Sequence, residues 1–258
     1  MINIKPLKAF TDNYIWLLET NEGVSVVDPG DAGPVINYLD QNNKNLADIF
    51  ITHHHFDHTA GVSELKNRVS GSIYGPENSF ELINRKVIQG DSVSSLGIEF
   101  EVIEVPGHTI DHISFYNREN NILFCGDTLF AGGCGRVFEG TFEQMFESIN
   151  KLKQLPDRTK IYCGHEYTKS NLMFSIEVEP ENIDLISRYD QIDNLIKAKG
   201  SSLPSSIEIE KKTNPFLRCN VLSDNIQLMQ KFRLKNPSDF EIFKHCLLYT
   251  SPSPRDRG

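Results

Sequence analysis

THHHFDHTAG, Thr52–Gly61, places four histidines and one aspartate within ten positions. Imidazole is the commonest metal-ligating side chain at neutral pH, and this stretch directly follows an apolar run, ADIFIT (47–52). Side chains at i and i+2 share a face of extended backbone. His53 and His55 can therefore reach one ion together, while His54 points the other way. Asp57 and His58 come after the chain begins to turn, so they can face a second ion.

The same arrangement recurs downstream. His108 follows EVIEVPG, Asp127 follows NILFCG and His165 follows KIYCG. Each candidate thus sits where a strand-like run ends in a turn. Strand ends on one edge of a sheet converge in space, and loops there carry function. Four protein groups fill one tetrahedral zinc. Seven, with one carboxylate shared, suit two ions about 3.5–4 Å apart. Asp127 has two oxygens and could bridge such a pair.

The surrounding pattern is that of alternating strands and helices. YIWLLE (14–19) and VSVVD (24–28) read as paired strands, and a short helix opens near Pro34. Val62, Leu65 and Val69 recur at helical spacing. IEFEVIEV (98–105) alternates as a strand with one wet face, and HISFYN and NILFCGD read as two further strands. Residues 142–155 form an amphipathic helix with Met145, Phe146, Ile149 and Leu152 on one face. Strand signals fade after about Ser170. KGSSLPSSIEIEKKTNPFLR (199–218) reads as a long polar connection within a second, helical domain. The expected division is 1–170 for a catalytic domain, 171–245 for a helical substrate-binding domain, and 246–258 for a tail. That tail, CLLYTSPSPRDRG, reads as the translation of a sequencing adapter in place of the natural terminus.

Composition is that of a soluble globular chain: 258 residues, 39% apolar, 24% charged, formal net charge −9. A net charge of −9 argues against a nucleic-acid partner, which needs a basic face, while leaving room for local basic patches. The N-terminal residues lack the apolar run of a signal peptide, and no stretch is long and apolar enough to span a bilayer. Five cysteines at irregular spacing, with no C-x-x-C pair, fit free thiols in a reducing cytoplasm. Cys134 has no identifiable activating base and reads as packing in a Gly-rich loop.

HxHxDH (53–58), GHT (107–109) and GDT (126–128) together resemble the metallo-β-lactamase superfamily. Within it, NYIWLL, VVDPGDA, FCGDTLFAGGCGRVFEGT, GHEYT and NPFLR resemble the glyoxalase II, or hydroxyacylglutathione hydrolase, family. The resemblance implies an α/β fold, an αββα sandwich followed by a helical C-terminal domain. It implies that His53, His55 and His108 bind a first metal, that Asp57, His58 and His165 bind a second, and that Asp127 bridges them. Two divalent ions are expected; zinc suits the donors, and iron or manganese also fits a mixed N/O site. The implied reaction is hydrolysis of S-D-lactoylglutathione to D-lactate and glutathione by a metal-bridging hydroxide, the second step of methylglyoxal detoxification. Asp57 would also orient that hydroxide. Arg136 and Tyr167 match positions that bind glutathione, whereas Phe138 lacks the hydroxyl some relatives carry there. The family's last basic contacts lie in a C-terminal segment that is replaced here by the tail, so weaker glutathione binding is expected. The chain is expected to act as a monomer in the cytoplasm, without membrane or nucleic-acid partners.

Other readings differ in testable ways. A persulfide dioxygenase on the same fold would hold one iron, a β-lactamase would carry a secretory signal, and a nuclease would need a basic surface. A metal- or glutathione-binding module without turnover is the non-enzymatic alternative.

Overall fold

The computed structural model describes residues 2–77 and 80–249. Six strands form the first sheet in chain order: β1 (Asn3–Ala9), β2 (Asn13–Glu19), β3 (Val24–Val27), β4 (Leu46–Phe50), β5 (Ile73–Pro76) and β6 (Arg85–Val87). β1 to β3 are antiparallel and β3 to β6 are parallel. The second sheet contains β7 (Ser92–Ser95), β8 (Ile98–Glu104), β9 (Ile113–Asn117) and β10 (Ile122–Gly126). A two-stranded ribbon, β11 (Leu129–Phe130) with β12 (Gly133–Cys134), follows. β13 (Lys160–Cys163) then runs parallel to β10, and β14 (Ser205–Ser206) pairs with its outer edge.

Helices cover the outer faces of both sheets. α1 (Ala32–Asn42), α2 (Phe56–Thr59) and α3 (Val62–Leu65) lie in the first half of the chain, and α4 (Phe142–Lys153) covers the second sheet. β2 explains the sandwich in miniature. Tyr14, Trp16 and Leu18 enter the core between the sheets, whereas Ile15 and Leu17 pack in the cluster that holds Val35 and Leu39 of α1. A strand buried on both faces reads as a continuous apolar run, which is what YIWLL is. Across the sandwich Phe50 meets Phe115 edge-on at 4.9 Å, and Trp16 meets Tyr162 at 4.9 Å. This is the αββα arrangement expected from the sequence.

α4 begins with a reciprocal cap: Thr141 accepts from the Gln144 N–H, and Gln144 accepts from the Thr141 N–H. Met145, Ile149 and Leu152 are fully buried, and the Ser148 hydroxyl donates to the Pro106 carbonyl at 2.7 Å. The helix thereby supports the turn that carries His108. Phe146 packs instead against Phe243 of a later helix, at 5.3 Å. Ile149→Val removes one methyl from this core and is expected to lower the unfolding free energy by about 0.5–1.5 kcal/mol, read from the denaturant midpoint.

The remaining helices are α5 (Thr168–Val178), α6 (Ile183–Lys199), α7 (Ile207–Thr213), α8 (Cys219–Leu222), α9 (Ile226–Phe232) and α10 (Asp239–Tyr249), with a 3-10 turn at Pro215–Leu217. Val178, Leu203, Ile207, Phe216 and Phe243 belong to the same hydrophobic cluster as the inter-sheet core. No helix among the described residues is long and apolar enough to cross a membrane.

Four local readings are corrected. The stretch 199–218 is not a polar connection: it contains β14, α7 and the 3-10 turn. Its charge misleads because Glu210 is fully buried and paired internally with Arg188 at 2.7 Å. α3 ends at Leu65, and Val69 instead bridges Leu46 in the first sheet. α1 starts two residues before Pro34, because Asp31 caps it by accepting from the Gly33 N–H. α10 runs past His245, since Ile242, Phe243, Cys246 and Leu247 continue one buried stripe. The rest of the expected tail, 250–258, lies outside the described residues.

Candidate metal centre

The candidate ligands converge because four strands end at one edge of the sandwich. β4 delivers residues 53–58, β8 leads to His108, β10 to Asp127 and β13 to His165. Main-chain bonds tie these ends across the two sheets. Ile113 donates to the Thr52 carbonyl at 3.0 Å, Gly164 to Gly126 at 2.9 Å, and Tyr14 to Gly164 at 2.8 Å. Gly126 is left-handed, with φ of +47°, and a Cβ there would lie 2.3 Å from the Thr52 hydroxyl. Gly164 is required by space alone: its Cβ would stand 2.3 Å from Asp127 Oδ1.

Four groups of ligand atoms close enough to share an ion result among the described residues; two of them, Asp28 with His53 and His58, and His54 with His55 and Glu139, overlap or flank the two triads built from the candidate ligands. The ligand atoms of His53, His55 and His108 lie within 4.8 Å of one another, and so do those of Asp57, His58 and His165. In the second triad, Asp57 Oδ2 is 3.6 Å from His58 Nε2 and 3.3 Å from His165 Nε2. The two nitrogens are 3.3 Å apart. Bonds of about 2.0–2.2 Å to a tetrahedral metal put ligand atoms roughly 3.3–3.6 Å apart, so these edges already have the size of a coordination face. In the first triad His55 Nδ1 and His108 Nε2 are 3.0 Å apart. Asp127 stands between the triads: its Oδ2 is 3.7 Å from His108 Nε2 and 3.2 Å from His165 Nε2, and its Oδ1 is 3.5 Å from His58 Nε2.

The outer nitrogens fix which way the rings face. The Thr52 hydroxyl donates to Asp28 at 2.7 Å, so it can only accept from His53 Nδ1, 3.0 Å away. His53 Nε2 is then an unprotonated lone pair, buried and without a hydrogen-bond partner. His108 Nδ1 donates to the Arg136 carbonyl at 2.8 Å, His58 Nδ1 to Asp28 at 3.1 Å, and His165 Nδ1 to Asp12 at 3.0 Å. Four Nε2 atoms are thereby aimed inward. Outer carboxylate and carbonyl partners of this kind orient metal-binding histidines. Asn13 does the same for Asp57, donating to its Oδ2 at 2.8 Å.

The electrostatics separate the triads. Burial drives the pKa of His53 and His55 down and that of His108 to about 4, so these rings are neutral at pH 7. Burial acts the same way on His58, but Asp127 and Asp28 outweigh it and raise its pKa to about 10. His165 is likewise raised, against burial, by Asp127 and Asp12. Asp127 stays ionised despite its own burial because His165 and His58 face it. This half of the site therefore draws positive charge, and a proton or a metal cation answers the same field.

Further polar and aromatic residues fall around this core. His54 turns away and pairs with Glu139 at 3.0 Å and Asp111 at 3.5 Å. His112 is fully buried and accepts from the Asp127 N–H at 3.1 Å, stacking on His53 at 4.6 Å. Tyr167 lies parallel to His165 at 4.7 Å. Phe138, 54% exposed, turns its edge to His55 and His108. Arg136 is half-buried beside them. Burial pushes the Cys134 thiol far above its usual range, which disfavours the nucleophilic thiolate. Sequence reasoning missed Asp12, Asn13, Asp28 and Thr52. Only Asp28 carried a signal, as the acid that ends VSVVD.

Residues 10–165 match the family model described as Metallo-beta-lactamase superfamily, and residues 166–246 match Hydroxyacylglutathione hydrolase C-terminus. The hydroxyacylglutathione hydrolase of Pseudomonas fluorescens (strain SBW25) is 47% identical over 249 residues, covering 94% of this chain and 96% of that protein. That of Ectopseudomonas mendocina (strain ymp) is 50% identical over 223 residues, covering 84% and 86%. Among solved structures, ETHE1 from Myxococcus xanthus superposes with a TM-score of 0.68 at 25% identity, covering 99% of this chain and 92% of that one.

Proposed function

The chain belongs to the hydroxyacylglutathione hydrolase family of the metallo-beta-lactamase superfamily, and from that membership we propose that it hydrolyses S-D-lactoylglutathione to D-lactate and glutathione at the site described above. The observation that carries this reading is the pair of inward-facing triads with Asp127 between them. His53, His55 and His108 would hold one divalent ion, Asp57, His58 and His165 the other, with Asp127 shared. Zinc suits these donors; iron and manganese are also compatible with them. Four carboxylates, Asp12, Asp28, Asp57 and Asp127, stand in or directly behind the ligand set, which matches the charge of two divalent ions. When bound, such a pair supplies a Lewis acid for the thioester carbonyl and lowers the pKa of a water to about 7.

The chain's own groups do the remaining work. Asn13 holds the Asp57 carboxylate, which orients the attacking water. Tyr167, stacked on His165, hydrogen-bonds glutathione, and Phe138 borders His55 and His108 without a hydroxyl to offer. Arg136 provides a cation for the carboxylates of glutathione. The leaving thiolate needs no strong acid, since a thiol ionises near pH 8.5.

The test is steady-state hydrolysis of S-D-lactoylglutathione with metal measured on the same sample. Turnover with about two metals per chain is expected; a fully metal-loaded, folded chain without turnover overturns the reading. Arg136→Ala is expected to raise KM roughly tenfold, the size of one charge-assisted hydrogen bond, with kcat little changed. That split marks binding shared by ground and transition states.

A further inference from the structure

Four consecutive carbonyls in the β11–β12 ribbon accept hydrogen bonds from side chains of the C-terminal segment. Asn214 donates to Phe130 at 3.2 Å and to Gly133 at 2.9 Å, Asn171 to Ala131 at 3.1 Å, and Ser175 to Gly132 at 3.0 Å. At the same turn the Gly132 N–H donates to Glu210 Oε2 at 2.7 Å. Glu210 also accepts from Asn214 at 3.0 Å and, through its other oxygen, from Arg188 at 2.7 Å and the Ser205 hydroxyl. Glu210 and Asn214 have no exposed surface.

Burying a carboxylate is costly unless every lone pair is met. Here Oε1 has two donors, Oε2 has the Gly132 N–H and a share of the two Asn214 protons, and what the anion holds in return is the turn of the ribbon. Two residues beyond that ribbon's last capped carbonyl, Gly135 donates to Thr128 at 3.0 Å, and the Arg136 carbonyl then receives the His108 Nδ1 proton. The clamp therefore reaches both a candidate metal ligand and a candidate glutathione contact.

We infer that Glu210, acting through Gly132 and Asn214, is a positioning residue that sets the placement of Arg136 and the orientation of His108. The inference rests on the hydrolase reading for its kinetic arm only.

The test compares Glu210→Gln with Glu179→Gln in the metal-loaded full chain. The second variant breaks a comparable C-terminal ion pair, Glu179 with Arg218 at 2.8 Å, that does not touch the ribbon. Amide exchange of the peptide 129–136, KM, kcat and Tm are measured on each. Glu210→Gln is expected to speed exchange at Gly132 about tenfold and raise KM at least about fivefold, with kcat within about threefold. Glu179→Gln is expected to lower Tm and move neither exchange nor KM. Unchanged exchange, faster exchange with unchanged KM, or equal effects of the two variants overturns the inference. Should Glu210→Gln fail to fold, Ser175→Ala removes a single bond to the same turn. Faster exchange with raised KM then supports the clamp, and failure of either change overturns it. A wild-type chain that turns over no S-D-lactoylglutathione would remove the hydrolase reading, and the exchange comparison would still decide whether Glu210 holds the ribbon.

Discussion

Asp127→Ala is expected to lower kcat/KM by well over about 100-fold, the upper bound for loss of an outer partner, and to reduce bound metal on the same sample. The reason is its position. Its Oδ2 is 3.7 Å from His108 and 3.2 Å from His165, so the carboxylate faces one histidine from each triad. Alanine removes both oxygens but leaves the main-chain N–H that donates to His112. The backbone therefore keeps its anchor, and circular dichroism should report an intact fold. Retained metal with near-normal turnover would show that Asp127 bridges nothing.

Asp28→Asn has the second largest expected effect, a weakening of metal affinity by roughly 10–100-fold, read by competition with a chelator. Asp28 touches no ion in this scheme. Its two oxygens accept from the Thr52 N–H at 2.8 Å, the Thr52 hydroxyl at 2.7 Å and His58 Nδ1 at 3.1 Å. Asparagine matches its shape and tolerates the left-handed backbone, φ +52°, found there. It replaces one acceptor by a donor, so a Thr52 proton or the His58 proton loses its partner. The Thr52 hydroxyl is what assigns the His53 tautomer, and His58 loses an acid that favours its positive charge. Both triads are thus disturbed by one atom. An unchanged affinity would mean that the rings are held by packing alone.

Local pattern runs out where a residue's partner lies far along the chain. His53, His55, Asp57 and His58 were identified by spacing, because backbone period decides which neighbours share a face. His108, Asp127 and His165 were found as chemistry-bearing residues at strand ends. Asp12 was not, because its partner His165 lies 153 positions away. Asn13 reaches Asp57 only because β2 begins beside residue 165, in an isolated bridge between Asn13 and His165. Glu210 reads as part of a solvated linker, since nothing within its own stretch announces Arg188 or Gly132 as partners.

Alternating strand-like and helical runs, and the placement of His53, His55, Asp57 and His58 around one turn, are legible in short stretches of backbone, whereas the αββα sandwich, the family and the allocation of the seven candidate ligands follow from the resemblance carried by HxHxDH, GHT, GDT and NPFLR. Which nitrogen of each ring faces inward, which acids stand behind the ligands, and the grip of the C-terminal segment on the ribbon leading to Arg136 are fixed once distant parts of the chain meet. Those choices depend on which carbonyl, carboxylate or hydroxyl another part of the chain brings within about 3 Å of a polar atom, and burial makes each such partner obligatory.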